Sequence, residues 1–288
     1  LYNSLAHRTT WLRSDLTYYR NLYNATHPSE INSPVSLSRN LLAWNQPGTN
    51  GLILPVNPSA SFLSILFANE LWFTLGDMTM AEHCAMLSMI FSPRNSGSRM
   101  IKRLAEINLV NGDDEAALKY LRILDKTLLH KSWAEKRIPG QQTPRVKEWL
   151  EKKRRDIPTQ DQLRSGNDAV TSLRNLVASN AGNLRAYEYL LCYHLLSKDL
   201  RSFVEDYVPG KVSSPIFAEA LLIYLARQGN IRAEELIKYQ IPVEIAKEFA
   251  DYTRIYEAKD TSLKEKYGKT YWFYYHFATT EPGKESKP

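Results

Sequence analysis

The chain has 288 residues, of which 43% are hydrophobic and 24% charged, with a formal net charge of +6 and a pI near 9.1. That length can bury a sizeable core, and that balance excludes bulk disorder. No apolar run approaches the ~20 residues that span a bilayer, and Cys84 and Cys192 cannot form a metal site alone.

In chain order, Trp11 to Tyr23 places Trp11, Leu12, Leu16, Tyr19 and Tyr23 on or near one stripe, which predicts a helix with an aromatic face. The prolines between His27 and Pro34 turn the chain into a short helix through Leu37, Leu41 and Trp44. Gln46 to Pro58, QPGTNGLILPVNP, holds three prolines and two glycines and is expected to be a loop. It is either a connector packed by Leu52, Ile53 and Leu54 or the first binding surface to inspect.

Phe62 to Phe73 reads as an apolar helix interrupted at Gly76-Asp77, with a partner from Thr79 to Phe91 and a stop at Pro93. The clearest unit follows, in MIKRLAEINLVNGDDEAALKYLRILDKT from Met100 to Thr127. Ile101, Leu104, Ala105, Ile107 and Leu109 keep one face apolar, and Gly112 can take the left-handed conformation that ends a helix. Asp113 and Asp114 offer oxygens to the amides of the next helix, whose stripe is Ala117, Leu118, Leu121 and Leu124. The Gly76-Asp77 and Gly112-Asp113 pairs stand 36 residues apart, near the roughly 34-residue tetratricopeptide period, with Ala81 and Ala117 five residues after each glycine.

Past Trp133 the pattern dissolves into AEKRIPGQQTPRVK, and a basic helix at Arg145 to Arg155 ends before Ile157-Pro158. The basic run is either a solvated helix end or a surface for an anionic partner. Helical pairs then resume: 168–177, Ala186 to Leu196 with a partner through Leu200, Phe203, Val204 and Tyr207, and Phe217 to Ala226 with Ile231 to Tyr239 around Gln228-Gly229-Asn230. Val243 to Tyr256 follows Pro242, YWFYYHF at Tyr271 to Phe277 is the densest aromatic run, and TTEPGKESKP from Thr279 is expected to fray. The expected organisation is a helical half at 1–134, a connection at 135–165, a second helical half at 166–278 and a tail at 279–288, together one array.

This pattern resembles tetratricopeptide-like arrays over residues 60 to 257. The runs LGDMTMAEHCAM, KRLAEINLVNGDDEAALKYLRILDKT with HKSWAE, NLRAYEYLLCYHLLSKDLRSF and YGKTYWFYYHF also resemble the C-terminal part of a family of uncharacterised Bacteroidetes proteins of unknown function. In that family a helical domain is joined to an N-terminal multi-pass membrane region. The resemblance implies the soluble domain of a membrane protein, with the periplasmic side preferred, and membrane contact only through an upstream region. A chain beginning at Leu1 fits a fragment of that kind.

Six histidines lack the i, i+4 spacing of a zinc helix, and adjacent Glu82, His83 and Cys84 point about 100° apart and cannot converge. His194 reads as a hydrogen-bonded core histidine. The carboxylates Asp113, Asp114, Glu115, Glu234 and Glu235 stand at helix starts, where the macrodipole favours them. Cys84 and Cys192 read as small core residues, with a disulfide between them left open. No phosphate loop, nucleophile elbow or dinucleotide fingerprint is present, so no catalytic residue, cofactor or metal is expected, and nucleic acid is not an expected partner.

The expected fold is an all-α, tetratricopeptide-like α-solenoid of antiparallel helix hairpins. The expected function is protein or peptide binding without chemistry, through groove residues Asn69, Trp72 and Asn108, with Trp44, Tyr271, Trp272, Tyr274 and Tyr275 as further contacts. A glycan partner is the alternative, since Trp44 and the Tyr271 to Phe277 run could offer flat aromatic faces. An α-helical enzyme is the third reading.

Overall fold

The computed structural model describes residues 69, 71–91, 93–159 and 169–277. The first helical pair of the sequence reading and the 46–58 loop lie outside the described residues. Every regular element among the described residues is helical. The chain divides between Tyr187 and Glu188 into two compact units. That division lies inside one helix.

In the first unit a helical segment at 71–75 is followed by α1 (Met78–Phe91), α2 (Pro93–Asn111), α3 (Asp114–Asp125), α4 (Lys131–Glu135), α5 (Pro144–Arg154) and α6 (Ala169–Ser179). Pro93 starts α2, where its missing N–H costs nothing, so the helix begins seven residues before Met100. Gly76 and Gly112 take φ of 91° and 81°, and the next amides, Asp77 and Asp113, each donate back to Trp72 and Asn108 carbonyls at 2.9 Å. Each aspartate then accepts from the amide three residues on, Met80 or Ala116, at 2.9 Å. One sequence device thus ends a helix and starts its partner.

Packing follows the predicted stripe. Met100 and Leu104 of α2 meet Ala85 of α1, while Ala105 meets Leu121 and Leu124 of α3 and Ala134 of α4. Ala81 and Ala117 are fully buried where helices approach closely.

The basic helix α5 and its C-cap expose Arg145, Lys147, Lys152, Arg154 and Arg155 to solvent, and two of the helix's cations also bond the helices before it. Arg154 donates from Nε to the Val110 carbonyl at 3.0 Å and from Nη2 to the Leu109 carbonyl at 2.8 Å, satisfying the end of α2. Lys153 donates to the Phe73 carbonyl at 3.4 Å, and its ammonium lies 4.8 Å from the centre of the Phe73 ring. Burial, then the Arg185 charge, pull the Lys153 pKa down to about 8. The chain after α5 continues this strap. Asn183 Nδ2 donates to both the Leu75 and Asp156 carbonyls, at 2.7 and 2.8 Å, and Asn180 Nδ2 donates to Ile157 O at 3.1 Å. Where the strap crosses Gly76, a Cβ would stand 2.2 Å from the Asp156 carbonyl oxygen, so glycine is required twice over.

In the second unit, residues from 188 continue α7 (Leu184–Leu196) into α8 (Leu200–Asp206), α9 (Pro215–Arg227), α10 (Ala233–Lys238), α11 (Val243–Glu257), α12 (Leu263–Tyr267) and α13 (Tyr271–Phe277). The α7–α8 turn repeats the device with Lys198 at φ 56° and Asp199 accepting from Ser202 N at 3.0 Å. Helix α9 is the core, with Ile216, Phe217, Leu221 and Leu222 buried, and it packs on α8, α11 and α13.

Candidate functional site

Asn69, Trp72 and Asn108 have 0%, 2% and 8% of their surface exposed. Asn69 Oδ1 accepts from Arg103 Nε at 3.3 Å and its Nδ2 faces Met100 Sδ at 3.5 Å, while Asn108 Nδ2 donates to the Leu104 carbonyl at 2.7 Å. These side chains serve the interior, and none presents a groove surface. Their positions on the first helix of each pair, opposite the stripe that packs on the second, had suggested an outward face, yet both asparagines find their partners inside. Trp44 lies outside the described residues.

The aromatic run is also put to internal use. Tyr271 and Trp272 are fully buried. The Tyr271 amide donates to Glu219 Oε2 at 2.6 Å, and Trp272 Nε1 donates to the Glu219 carbonyl at 2.9 Å. The hydroxyls of Tyr271 and Tyr274 donate to the Leu195 and Leu196 carbonyls, both at 2.9 Å, and so cap the last turn of α7. Tyr275 is half-buried and accepts from Arg227 Nη1. Around them Tyr252 stacks with Phe249 and Tyr256, and its hydroxyl meets His276 Nδ1 at 2.7 Å. Burial raises the Tyr252 pKa and lowers that of His276.

Two other polar groups could suggest chemistry and are structural. His194 is buried with Nε2 2.8 Å from Asp206 Oδ2, tying α7 to α8, in line with the core-histidine reading. Asp251 accepts from Lys266, Tyr267 and Arg254, and these bonds hold its carboxyl well below the usual carboxylate range. Cys84 and Cys192 are buried and not disulfide-bonded. Among the described residues no group of three or more His, Cys, Asp or Glu side chains could hold a metal ion, and no helix is long and apolar enough to cross a membrane.

A surface with room for a ligand occurs beside α10. An open cleft of about 510 Å³ is lined by Tyr224, Gln228, Asn230, Arg232, Lys238 and Tyr239, among others. Helix α10 beside it buries none of its residues, and Arg232 offers it no side-chain cap. Lys238 is held at one wall by Glu235 at 3.2 Å and lies 4.8 Å from the Tyr239 ring centre. Ile231, Ile237 and Val243 are exposed nearby in sequence. The lining offers amide and cationic donors, the Glu235 carboxylate and two phenol rings, which can hold a polar chain. Sequence reading took Gln228-Gly229-Asn230 only as a turn. The available signal was Glu234, which stands where the earlier hairpins carry Ala81 and Ala117.

No curated protein and no solved structure matches the chain. A family match covers residues 36–278, which is most of the sequence and includes both described units and the cleft. The chain belongs to the family described as a family of unknown function, DUF6057.

Proposed function

We propose that this chain is a non-catalytic interaction scaffold, a tetratricopeptide-like stack of helix pairs that takes a protein segment in the cleft beside α10. The turn device recurring at Gly76, Gly112 and Lys198 supports the stack. The resemblance drawn from the sequence supports its place as the part of a membrane-tethered protein outside the bilayer. The observation that carries the binding role is the cleft itself, in which a helix withdrawn from the core leaves donors and two tyrosine faces open to solvent. Peptide carbonyls and carboxylates match the Arg232, Gln228 and Asn230 donors, and Tyr224 and Tyr239 can pack against side chains.

The test is a photo-crosslinking residue in place of Tyr239, read by mass spectrometry of the adducts. The expected result is a polypeptide adduct that disappears when Arg232→Glu is added. Adducts that persist in that variant, or that contain no polypeptide, would refute the cleft as a peptide site. A glycan is the second reading, favoured only by the two cleft tyrosines. Affinity electrophoresis in glycan gels would show retardation lost in Tyr224→Ala if it holds.

A further inference from the structure

The turn between α3 and α4 carries a feature that neither the core nor the cleft uses. Leu128 is 98% exposed and Leu129 is 86% exposed, so two adjacent leucines hold nearly all their apolar surface in water. The turn that presents them is tied down. Thr127 donates from its amide to the Leu124 carbonyl at 2.9 Å and from its hydroxyl to the same oxygen at 2.7 Å. Its hydroxyl accepts from the His130 amide at 3.2 Å, and its carbonyl accepts from the Lys131 amide at 3.1 Å. The leucines therefore project from a fixed reverse turn.

Their surroundings are mainly cationic. Lys126 and Lys131 bracket the pair in sequence, and Lys136 and Arg137 follow within two turns. Trp133 is half-buried between cations, with Lys102 Nζ 4.7 Å and the Arg137 guanidinium carbon 4.1 Å from its ring centre. The acids here are Asp125, Glu135 and Glu106, whose charge acts on Arg137, and Glu135 Oε1 lies 4.0 Å from Lys131, so the cations are in excess. A fixed apolar tip with an indole behind it and cations around it matches the layers of an anionic bilayer surface. Leucines enter the edge of the acyl region, the indole remains at headgroup depth and the cations face lipid phosphates.

We propose that residues 126–137 form a peripheral anchor that seats this protein on an anionic lipid bilayer. The inference is independent of the cleft, shares no residue with it, and requires no membrane-crossing helix.

The test is co-sedimentation of the 288-residue chain with vesicles of phosphatidylcholine alone or mixed with phosphatidylglycerol, at low and high salt. Binding is expected on the phosphatidylglycerol vesicles, to fall with salt and to be about tenfold weaker on phosphatidylcholine. The variant Leu128→Ser/Leu129→Ser should lose about tenfold or more with unchanged melting temperature and solution mass, whereas Leu128→Phe/Leu129→Phe should retain binding. In Leu129→Trp the added indole should fluoresce at shorter wavelength on anionic vesicles. Absence of sedimentation with anionic vesicles overturns the proposal. So does a double-serine variant that melts earlier, which would mean the chain itself covers the leucines, or one whose solution mass halves, which would mean a second copy does.

Discussion

The hairpins around Gly112 and Gly229 share a turn and differ in everything after it. Both glycines are left-handed, at φ 81° and 64°, and the next amides reach back to Asn108 and Leu225 carbonyls at 2.9 and 3.0 Å. After Gly112 an aspartate caps α3, which buries Ala117, Leu121 and Leu124, and Arg154 of the strap covers the carbonyls of the turn. After Gly229 comes Arg232 without a side-chain cap, then a six-residue helix that buries nothing. Turn chemistry therefore sets the reversal of the chain, while the second helix decides whether the pair closes as a layer or opens as a surface.

The sharpest way to break this comparison is at the glycines. Gly76→Ala forces a Cβ to 2.2 Å from the Asp156 carbonyl at φ 91°, and should cost about 3 kcal/mol or more by urea unfolding. Gly112→Ala has the same backbone demand but open space around the Cβ, and should cost about 1 kcal/mol. Equal losses at the two would mean that the strap does not press on the first turn.

A second effect tests the strap through pH. The folded Lys153 pKa of about 8 lies below the ordinary lysine value of 10.5, so the folded state disfavours the charged form. Stability should rise between pH 8 and 10.5, by an amount on the order of 2 kcal/mol, as the unfolded chain keeps a proton that the folded chain releases. Lys153→Met should flatten that rise in a pH series of denaturation curves.

The helices after the turns give smaller contrasts. Ala117→Leu overfills the α2–α3 contact and should cost roughly 1–3 kcal/mol, while Glu234→Leu, at the matching position after Gly229, should change stability by less than about 0.5 kcal/mol. Asp113→Ala removes the cap to Ala116 and should cost about 1 kcal/mol in thermal unfolding. A matching loss from Arg232→Ala, which caps nothing with its side chain, would undo the distinction between the two hairpins.

What the sequence could and could not show follows the range of each interaction. Gly112, Asp113, Ala117 and Leu121 act within one hairpin, so their roles are readable from spacing alone. The strap was not readable, because Arg154 finds its acceptors 44 and 45 residues away and Asn183 finds Leu75 across 108. The polar residues Asn69 and Asn108 misled for a related reason: an amide on a helix can turn inward to a sulfur or a carbonyl, and the sequence does not record which. The cleft was hidden because the helix beside it, α10, fails to pack. The one local trace of that failure is an acid at the position where an alanine would let two helices meet.

Helix α13 has seven residues, too few for a helix to hold its shape alone in water. Its first amide is fastened to Glu219 and its tyrosine hydroxyls to the end of α7. This element is therefore conditional: it exists as a helix only while seated, and its order reports on the integrity of α9 at a distance in sequence of 52 residues. A protease site appearing within 271–277 would be the earliest sign that the core beneath has loosened.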